Sequence, residues 1–492
     1  MVTETLQNKA TYLDIREVGY VKAIKEFIIT GVGLPSCFNG QIVEFESGDR
    51  GLVMGFKEDE VQILLFGSNV NIKLNDEIYN KGQALYLPVG EKFLGRIINS
   101  LCEPVDNLGP IESDDTYPVF REAPGVLDRI PVHDTLETGT VVLDTFFPIA
   151  KGQRQLFLGD RLVGKTTVAI DAILNQKGKN VICIYACIGK PYSSFIKEVN
   201  LLKEKDALHY TIVISAVASV SVGEQYLAPY VAAMLGEYFM YNGKDVFVVF
   251  DDLTRHAWVY RQISLLLERA PGREAYPGDI FYIHSQLVER AGCLKKELKG
   301  GSMTFFPIIE ILQGDITGYI PTNLISMTDG QIYFDSELFH RGIKPAVDVG
   351  LSVSRIGSKA QWPAMREVSK RLRLDYVRYQ EILKMSRLKS TSISKEAEEI
   401  LKHGEIITKL ITQDRHNPIP MEYQIIYLYA LNTGVLDKLE IVEIDKFKSE
   451  FIKLVQETSP EILKKLRETK ELSNDIKENL NRCLKQYFEE KF

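Results

Sequence analysis

The sequence predicts a multidomain α/β protein: an N-terminal β-barrel, a central β/α domain and a C-terminal helical bundle. Three observations predict it. Short β-rich runs separated by glycine and polar turns fill roughly the first eighty residues. Strand-like apolar runs then alternate with helical segments, the pattern of a mainly parallel sheet covered by helices. Beyond Gln361, apolar residues recur at steps of three and four. The domains so read are 1–84, 85–361 and 362–492.

A chain of 492 residues is long enough for several domains. Its 45% hydrophobic and 25% charged content is that of an ordinary globular protein. A net charge of −7 gives no reason to expect nucleic acid as a partner. Cys183 and Cys187 share the apolar run Val181–Ile188, where both thiols face one side of a strand. Cys37, Cys102, Cys293 and Cys483 are scattered. This spacing argues against a zinc or disulfide framework and for a reducing cytosol. Met1–Gln7 carries no basic-then-apolar signal, and no apolar run reaches the ~20 residues that span a bilayer. Any membrane connection is expected through partner proteins.

In the barrel, Glu26–Thr30, Gln41–Phe45, Gly51–Met54 and Val61–Phe66 read as strands. Gly31-Val-Gly33 reads as a turn, because no helix pattern follows it. From Gly95 to Pro148 the chain is rich in loops. Gln155–Leu158 is then a short buried strand leading into Gly159, Asp160, Arg161, Leu162, Val163, Gly164, Lys165 and Thr166. Their spacing, G-x-x-x-x-G-K-[ST], is that of a phosphate-binding loop. Backbone N–H groups wrap a polyphosphate, the lysine reaches the outer phosphates and the hydroxyl sits on magnesium. Thr167 opens an apolar helix whose N-terminus faces the phosphates. The central domain is therefore expected to be a P-loop (RecA-like) nucleotide-binding domain, with ATP or ADP and Mg²⁺ as its cofactors.

Asp245–Phe250 is a further strand, ending in Asp251-Asp252. An acidic residue at such a strand end typically holds the magnesium shell, so Thr166 and Asp251 are the expected metal ligands. Hydrolysis requires more: a carboxylate to orient water, and a cation near the γ-phosphate. In many β/α ATPases that carboxylate ends the strand beside the phosphate loop. Here Val181–Ile188 ends in Gly189-Lys190-Pro191. A lysine with a reference pKa of ~10.4 stays protonated at neutral pH unless strongly desolvated, and cannot take a proton from water. Bound nucleotide is then expected to be a structural or regulatory occupant.

After Gln361 one apolar helical face is read through Met365, Val368, Leu372, Tyr376, Tyr379 and Leu383. The Lys- and Glu-rich remainder reads as a bundle with solvated outer faces.

Ser264-Leu-Leu-Leu-Glu-Arg-Ala-Pro-Gly-Arg-Glu-Ala-Tyr-Pro-Gly-Asp279 closely resembles the alpha subunits of F-type rotary ATPases (ATP synthases). So do Gly314-Asp-Ile-Thr-Gly-Tyr-Ile-Pro-Thr-Asn323, Thr328-Asp-Gly-Gln331 and Gly350-Leu-Ser-Val-Ser-Arg-Ile-Gly-Ser358. The likeness runs in unbroken order from about Val18 to the C-terminus. The resemblance implies an alternating hexamer with beta-type catalytic subunits around a central gamma-type shaft. It also implies possible stator or membrane-sector partners, and a peripheral place at the cytoplasmic face of the cell membrane. The alpha-type chain would hold nucleotide without hydrolysing it and send an arginine, Arg355 by motif match, into its neighbour's active site. Ser326 would lie near that neighbour's nucleotide. Gln413 aligns with an adenine-pocket glutamine, Phe339 and Lys344-Pro345 with a loop beside the base, and Pro271–Asp279 with the segment bearing on the shaft.

The chain also departs from that family. Leu162 and Val163 stand where Gln-Thr is usual, and Lys190 where glutamine is usual. Lys190 is expected either to contact phosphate or to point to solvent. Arg415 replaces a second base-pocket glutamine, and Lys344 an arginine. The short tail before Val18 suggests a stator unlike the ordinary one, as in the divergent F-type-like ATPases of small-genome, wall-less bacteria. The same ring could then drive mechanical or secretory work without proton translocation. A hexameric translocase or export ATPase would need a nucleic-acid-binding barrel or a catalytic glutamate in this chain. Neither is evident. A lone regulatory ATP-binding protein would leave Arg355 without a purpose.

Overall fold

The computed structural model describes residues 17–388 and 394–491. The short tail read before Val18 lies almost wholly outside them. The first domain is a closed antiparallel barrel of β1 (Glu17–Lys25), β2 (Ile28–Val32), β3 (Gln41–Phe45), β4 (Arg50–Lys57), β5 (Glu60–Phe66) and β6 (Glu77–Ala84). The strands run β1-β2-β5-β4-β3-β6, and β6 pairs back onto β1. Closure leaves no free edge. Alternate residues turn inward, so Val21, Ile29, Val43, Phe45, Ile63 and Ile78 fill the interior. Gly31 belongs to β2 and not to a turn. The chain reverses after it, at Gly33, whose φ is 82°.

The central sheet runs, from one edge, Val353–Ser354, Gly330–Phe334, Leu156–Gly159, Ser302–Glu310, Asp245–Asp251, Val181–Ile188, Thr211–Ala216 and Ile97–Ile98. The pairings along this path are parallel except for Val353–Ser354, which is antiparallel. Val181–Ile188 is therefore not the neighbour of the phosphate-loop strand, as the sequence suggested. Ser302–Glu310 and Asp245–Asp251 lie between them. Cys183 and Cys187 are both buried in that strand and face the same core. The helix Val222–Tyr241 is apolar on every side and buried along most of its length. Its Glu237 forms a bidentate pair with Arg290, both bonds 2.7 Å, with the two side chains 0% and 1% exposed.

The last domain is helical. The apolar face read through Met365 and Leu383 spans two helices, Pro363–Ser369 and Leu372–Leu388, with a break between them. Met365, Val368, Leu372, Tyr376 and Tyr379 are buried all the same. Tyr376 stacks on Phe146 with ring centroids 5.8 Å apart, so one core joins this domain to the sheet.

Candidate functional site

A cavity of about 890 Å³ opens at the carboxyl ends of the sheet strands, the usual place for a ligand in an α/β fold. Leu156–Gly159 delivers the phosphate loop to its floor. Gly159 has no room for a side chain: a Cβ there would come within 2.5 Å of the Phe334 carbonyl oxygen. Gly164, at φ 99°, makes the left-handed turn that starts the helix Lys165–Leu174. That helix offers unpaired N–H groups and the positive end of its dipole at the floor.

The two unusual loop residues part ways. Leu162 is 92% exposed, whereas Val163 is buried in the core beneath the loop. Asp160 pins the loop to its surroundings, accepting from Gly314 N at 3.0 Å and Ser336 Oγ at 2.7 Å. Arg161 Nε lies 3.3 Å from Glu310, and Thr167 completes the wall. Lys165 Nζ curls back onto the carbonyls of Gly159 and Asp160 at 2.6 and 2.5 Å. Burial lowers its pKa to about 8, against the raising effect of Glu310, Asp252 and Asp251.

Asp251 is 1% exposed, and its Oδ2 gathers three donors. Thr166 Oγ1 and Tyr185 Oη each donate to it at 2.9 Å, and Lys190 Nζ forms the third contact. Lys190 Nζ also reaches Thr166 Oγ1 at 2.8 Å. Lys190 thus does not point to solvent; it is ion-paired inside the pocket. Burial pulls its pKa down, but the Asp251 charge outweighs this and the ammonium ends above the ordinary lysine range. Next door, Asp252 caps the helix Leu253–Leu266 by accepting from Arg255 N at 2.8 Å. Burial, aided by the Asp251 and Glu310 charges, pushes its carboxyl up to about 7.

Thr166 and Asp251 are hard oxygen donors of the kind magnesium takes, and the fold brings them together. The ammonium of Lys190 bridges the same two oxygens. Asp251 Oδ1 is buried without a hydrogen-bond partner, so Thr166 and Asp251 would still offer a divalent ion a hydroxyl and a carboxylate oxygen.

At the other end of the cavity lie Phe339, Lys344, Pro345, Gln413 and Arg415. Lys344 Nζ sits 4.7 Å above the Phe339 ring. The Gln413 amide is fully engaged by backbone: it donates to Gly139 O and Asn417 O at 2.9 and 2.8 Å and accepts from Val141 N at 3.2 Å. It therefore shapes the wall. Arg415 is exposed at the mouth. Asp171 accepts from His416 N at 3.0 Å, and burial pushes its carboxyl up to about 7.

Arg355 and Ser326 do not line this cavity. They sit together on another, exposed face. Arg355 Nη2 donates to the Ile325 carbonyl at 3.2 Å, and Ser326 Oγ to Asn323 O at 2.6 Å. No carboxylate among the described residues pairs with Arg355. Sequence reading missed Tyr185, Arg255, Glu310 and Glu198, all of which reach the pocket or its carboxylates. Only the Asp252 cap carried a local signal, an Asp at a strand-to-helix junction.

Fold and site together define a phosphate-loop protein built to hold a nucleotide. Residues 139–354 match the family model for the ATP synthase alpha/beta family, nucleotide-binding domain. Residues 361–487 match that for the ATP synthase alpha/beta chain, C terminal domain. The chain is 44% identical to ATP synthase subunit alpha of Petrotoga mobilis over 96% of its length and 95% of the relative's. It is 44% identical to the subunit alpha of Caldanaerobacter subterraneus subsp. tengcongensis and 43% to that of Clostridium acetobutylicum. Each of these two covers 99% of this chain and 96% of the relative. The chain belongs to the ATP synthase alpha/beta family.

Proposed function

We propose that this chain is the alpha-type, non-catalytic nucleotide-binding subunit of an alternating hexamer. Beta-type subunits hydrolyse or synthesise ATP, and Arg355 serves as their arginine finger. The observation that carries the reading is Lys190. Although two strands separate Val181–Ile188 from the loop strand, its end still brings an ammonium onto Thr166 and Asp251, where a hydrolytic site needs a free carboxylate. Of the nearby carboxylates, Asp252 is held by Arg255, and Glu310 pairs with Arg161 and Arg255.

The chain's own residues then hold nucleotide rather than cleave it. The Lys165 helix start and the loop amides take the phosphates, with Lys165 turning from the loop carbonyls to them. Phe339, Lys344, Pro345 and the wall fixed by Gln413 flank the base. Exposed and, among the described residues, free of carboxylate partners, Arg355 supplies positive charge to a neighbour, with Ser326 beside it. In the Pro271–Asp279 segment Tyr276 and Pro277 are buried, and the exposed remainder faces a gamma-type shaft. No helix among the described residues is long and apolar enough to cross a membrane. From its likeness to ATP synthase alpha subunits, we propose that the chain is a peripheral part of a complex at the cytoplasmic face of the cell membrane. Stator and membrane-sector proteins complete that complex.

Turnover by the purified chain, alone and mixed with its beta-type partner, tests this. Binding without turnover alone, and turnover in the mixture, is expected. Robust hydrolysis by the isolated chain would overturn the non-catalytic assignment.

A further inference from the structure

The two ends of the cavity belong to different domains. The phosphate floor is the start of the helix Lys165–Leu174 in the central domain, whereas residues 412–415 of the base end follow the helix Lys395–Ile411 of the helical domain. A ligand that reaches from one end to the other is sensitive to the spacing between them, so the groups that fix that spacing set the fit.

The base wall is pinned on its own side by Lys448, whose Nζ donates to the Lys409 and Thr412 carbonyls, both at 2.9 Å. Gln413 N donates to the Lys344 carbonyl at 2.8 Å and so joins the wall to the loop beside the base. Asp414 and Arg415 are then exposed, and the chain meets the phosphate helix at His416. Asp171 on that helix is 5% exposed and accepts from His416 N at 3.0 Å, with His416 Nδ1 3.3 Å from the same oxygen. His416 stands at φ 60°, a left-handed conformation that a residue other than glycine keeps only where its surroundings hold it. The Asp171 bond supplies that hold. Its own base is rigid, because Val168, Ala169, Ile170, Ala172 and Ile173 of the same helix are packed in the core.

We propose that Asp171 is a positioning residue for the base of the nucleotide: through His416 it fastens the wall from the helical domain to the phosphate helix. The inference rests on the nucleotide reading of the pocket. Asp171 takes no part in holding the phosphates, since its bond goes to the wall. Without that bond the turn at His416 relaxes, and ATP loses its fit to the wall while its phosphates keep the floor. Inorganic tripolyphosphate has no base and uses the floor alone.

Isothermal titration of the nucleotide-stripped full-length chain with ATP and with inorganic tripolyphosphate separates the two ends. Asp171→Ala should weaken ATP about tenfold and leave tripolyphosphate within about twofold of the wild type, the loss expected for one charge-assisted hydrogen bond to the wall. Asp171→Asn keeps an oxygen that accepts from the same N–H, and should restore ATP to within about threefold of the wild type. An Asp171→Ala chain that binds ATP like the wild type, or that loses ATP and tripolyphosphate equally, overturns the proposal while leaving the pocket a nucleotide site. So does an Asp171→Asn chain as weak as Asp171→Ala. A wild type that binds no ATP brings down the nucleotide reading as well. If Asp171→Ala does not fold, as judged by circular dichroism, Asp171→Glu decides. Its longer side chain displaces the acceptor and should weaken ATP but not tripolyphosphate, and unchanged ATP affinity would overturn the proposal.

Discussion

Two arginines of the central domain have opposite surroundings. Arg290 is 1% exposed; it spends Nε and Nη2 on Glu237 and Nη1 on the Val119 carbonyl at 3.0 Å. Arg355 lies at the sheet edge after Val353–Ser354, exposed, with one side-chain bond to a backbone carbonyl. A buried guanidinium must find its partners inside its own chain, since an uncompensated buried charge is costly. An exposed one is free of that demand. The lesson is that completeness marks scaffold and incompleteness marks a surface available to another chain.

That contrast breaks most sharply at Arg355. In a ring assembled with the beta-type partner, Arg355→Ala should lower ATP turnover by about 10³-fold or more, the worth of an arginine finger. Its thermal midpoint and the isolated chain's affinity for ATP should not move. A turnover loss matched by a fall in melting temperature would make Arg355 scaffold like Arg290. The converse holds for Arg290→Met, which strands the Glu237 carboxylate. It should destabilise the fold by about 3–5 kcal/mol in urea denaturation, and a shift below about 1 kcal/mol would show that the pair is not a fixed structural element.

The same division explains what the sequence discloses. The phosphate loop is legible because eight contiguous residues carry it, and local spacing sets the backbone path from Gly159 to Thr166. The barrel is legible from short alternating runs. Strand order is another matter. Val181–Ile188 reads as the neighbour of the loop strand, yet two strands intervene, because crossover packing and not adjacency in the chain decides sheet position. Lys190 meets Asp251 across 61 residues for the same reason, and no local pattern announces that pairing. Periodicity in Met365–Leu383 reports which side faces the core, and it does so correctly across a break it cannot detect. Gln413 shows the limit of residue-by-residue carry-over. Its position at the pocket follows from the aligned motif, but the three backbone bonds that consume its amide come from the turn around Gly139 and Asn417.

Asp171 extends the comparison to a group that is buried but only partly compensated. It accepts from His416 N, and burial pushes its carboxyl up to about 7, whereas an unfolded Asp titrates near ~3.9. The folded state therefore keeps a proton that the unfolded chain releases. The resulting stabilisation is full below the unfolded value and is lost as pH rises through about 7. Between pH ~5 and ~8 the wild type should lose roughly 2–3 kcal/mol from this group, and Asp171→Asn should flatten that slope. Parallel pH profiles of the urea midpoint would refute the assignment.

Lys165 provides the mirror image of Arg355, a cation whose work lies inside its own pocket. In the free chain it donates to the Gly159 and Asp160 carbonyls, and burial holds its pKa near 8. A bound polyphosphate stabilises the ammonium and raises that value, so the complex retains a proton the free chain loses. ATP affinity should then be flat below pH 8 and fall above it, with proton uptake visible in titrations run in two buffers of different ionisation heat. Lys165→Ala should weaken ATP binding by the isolated chain about 10–100-fold, the worth of charge-assisted hydrogen bonds to phosphate, and abolish the pH dependence. The mixed ring should keep turning over, because the beta-type pockets are untouched. An assembled but inactive Lys165→Ala ring would mean that the two cations serve one catalytic site, and the separation between a self-contained pocket and an outward-facing finger would fail.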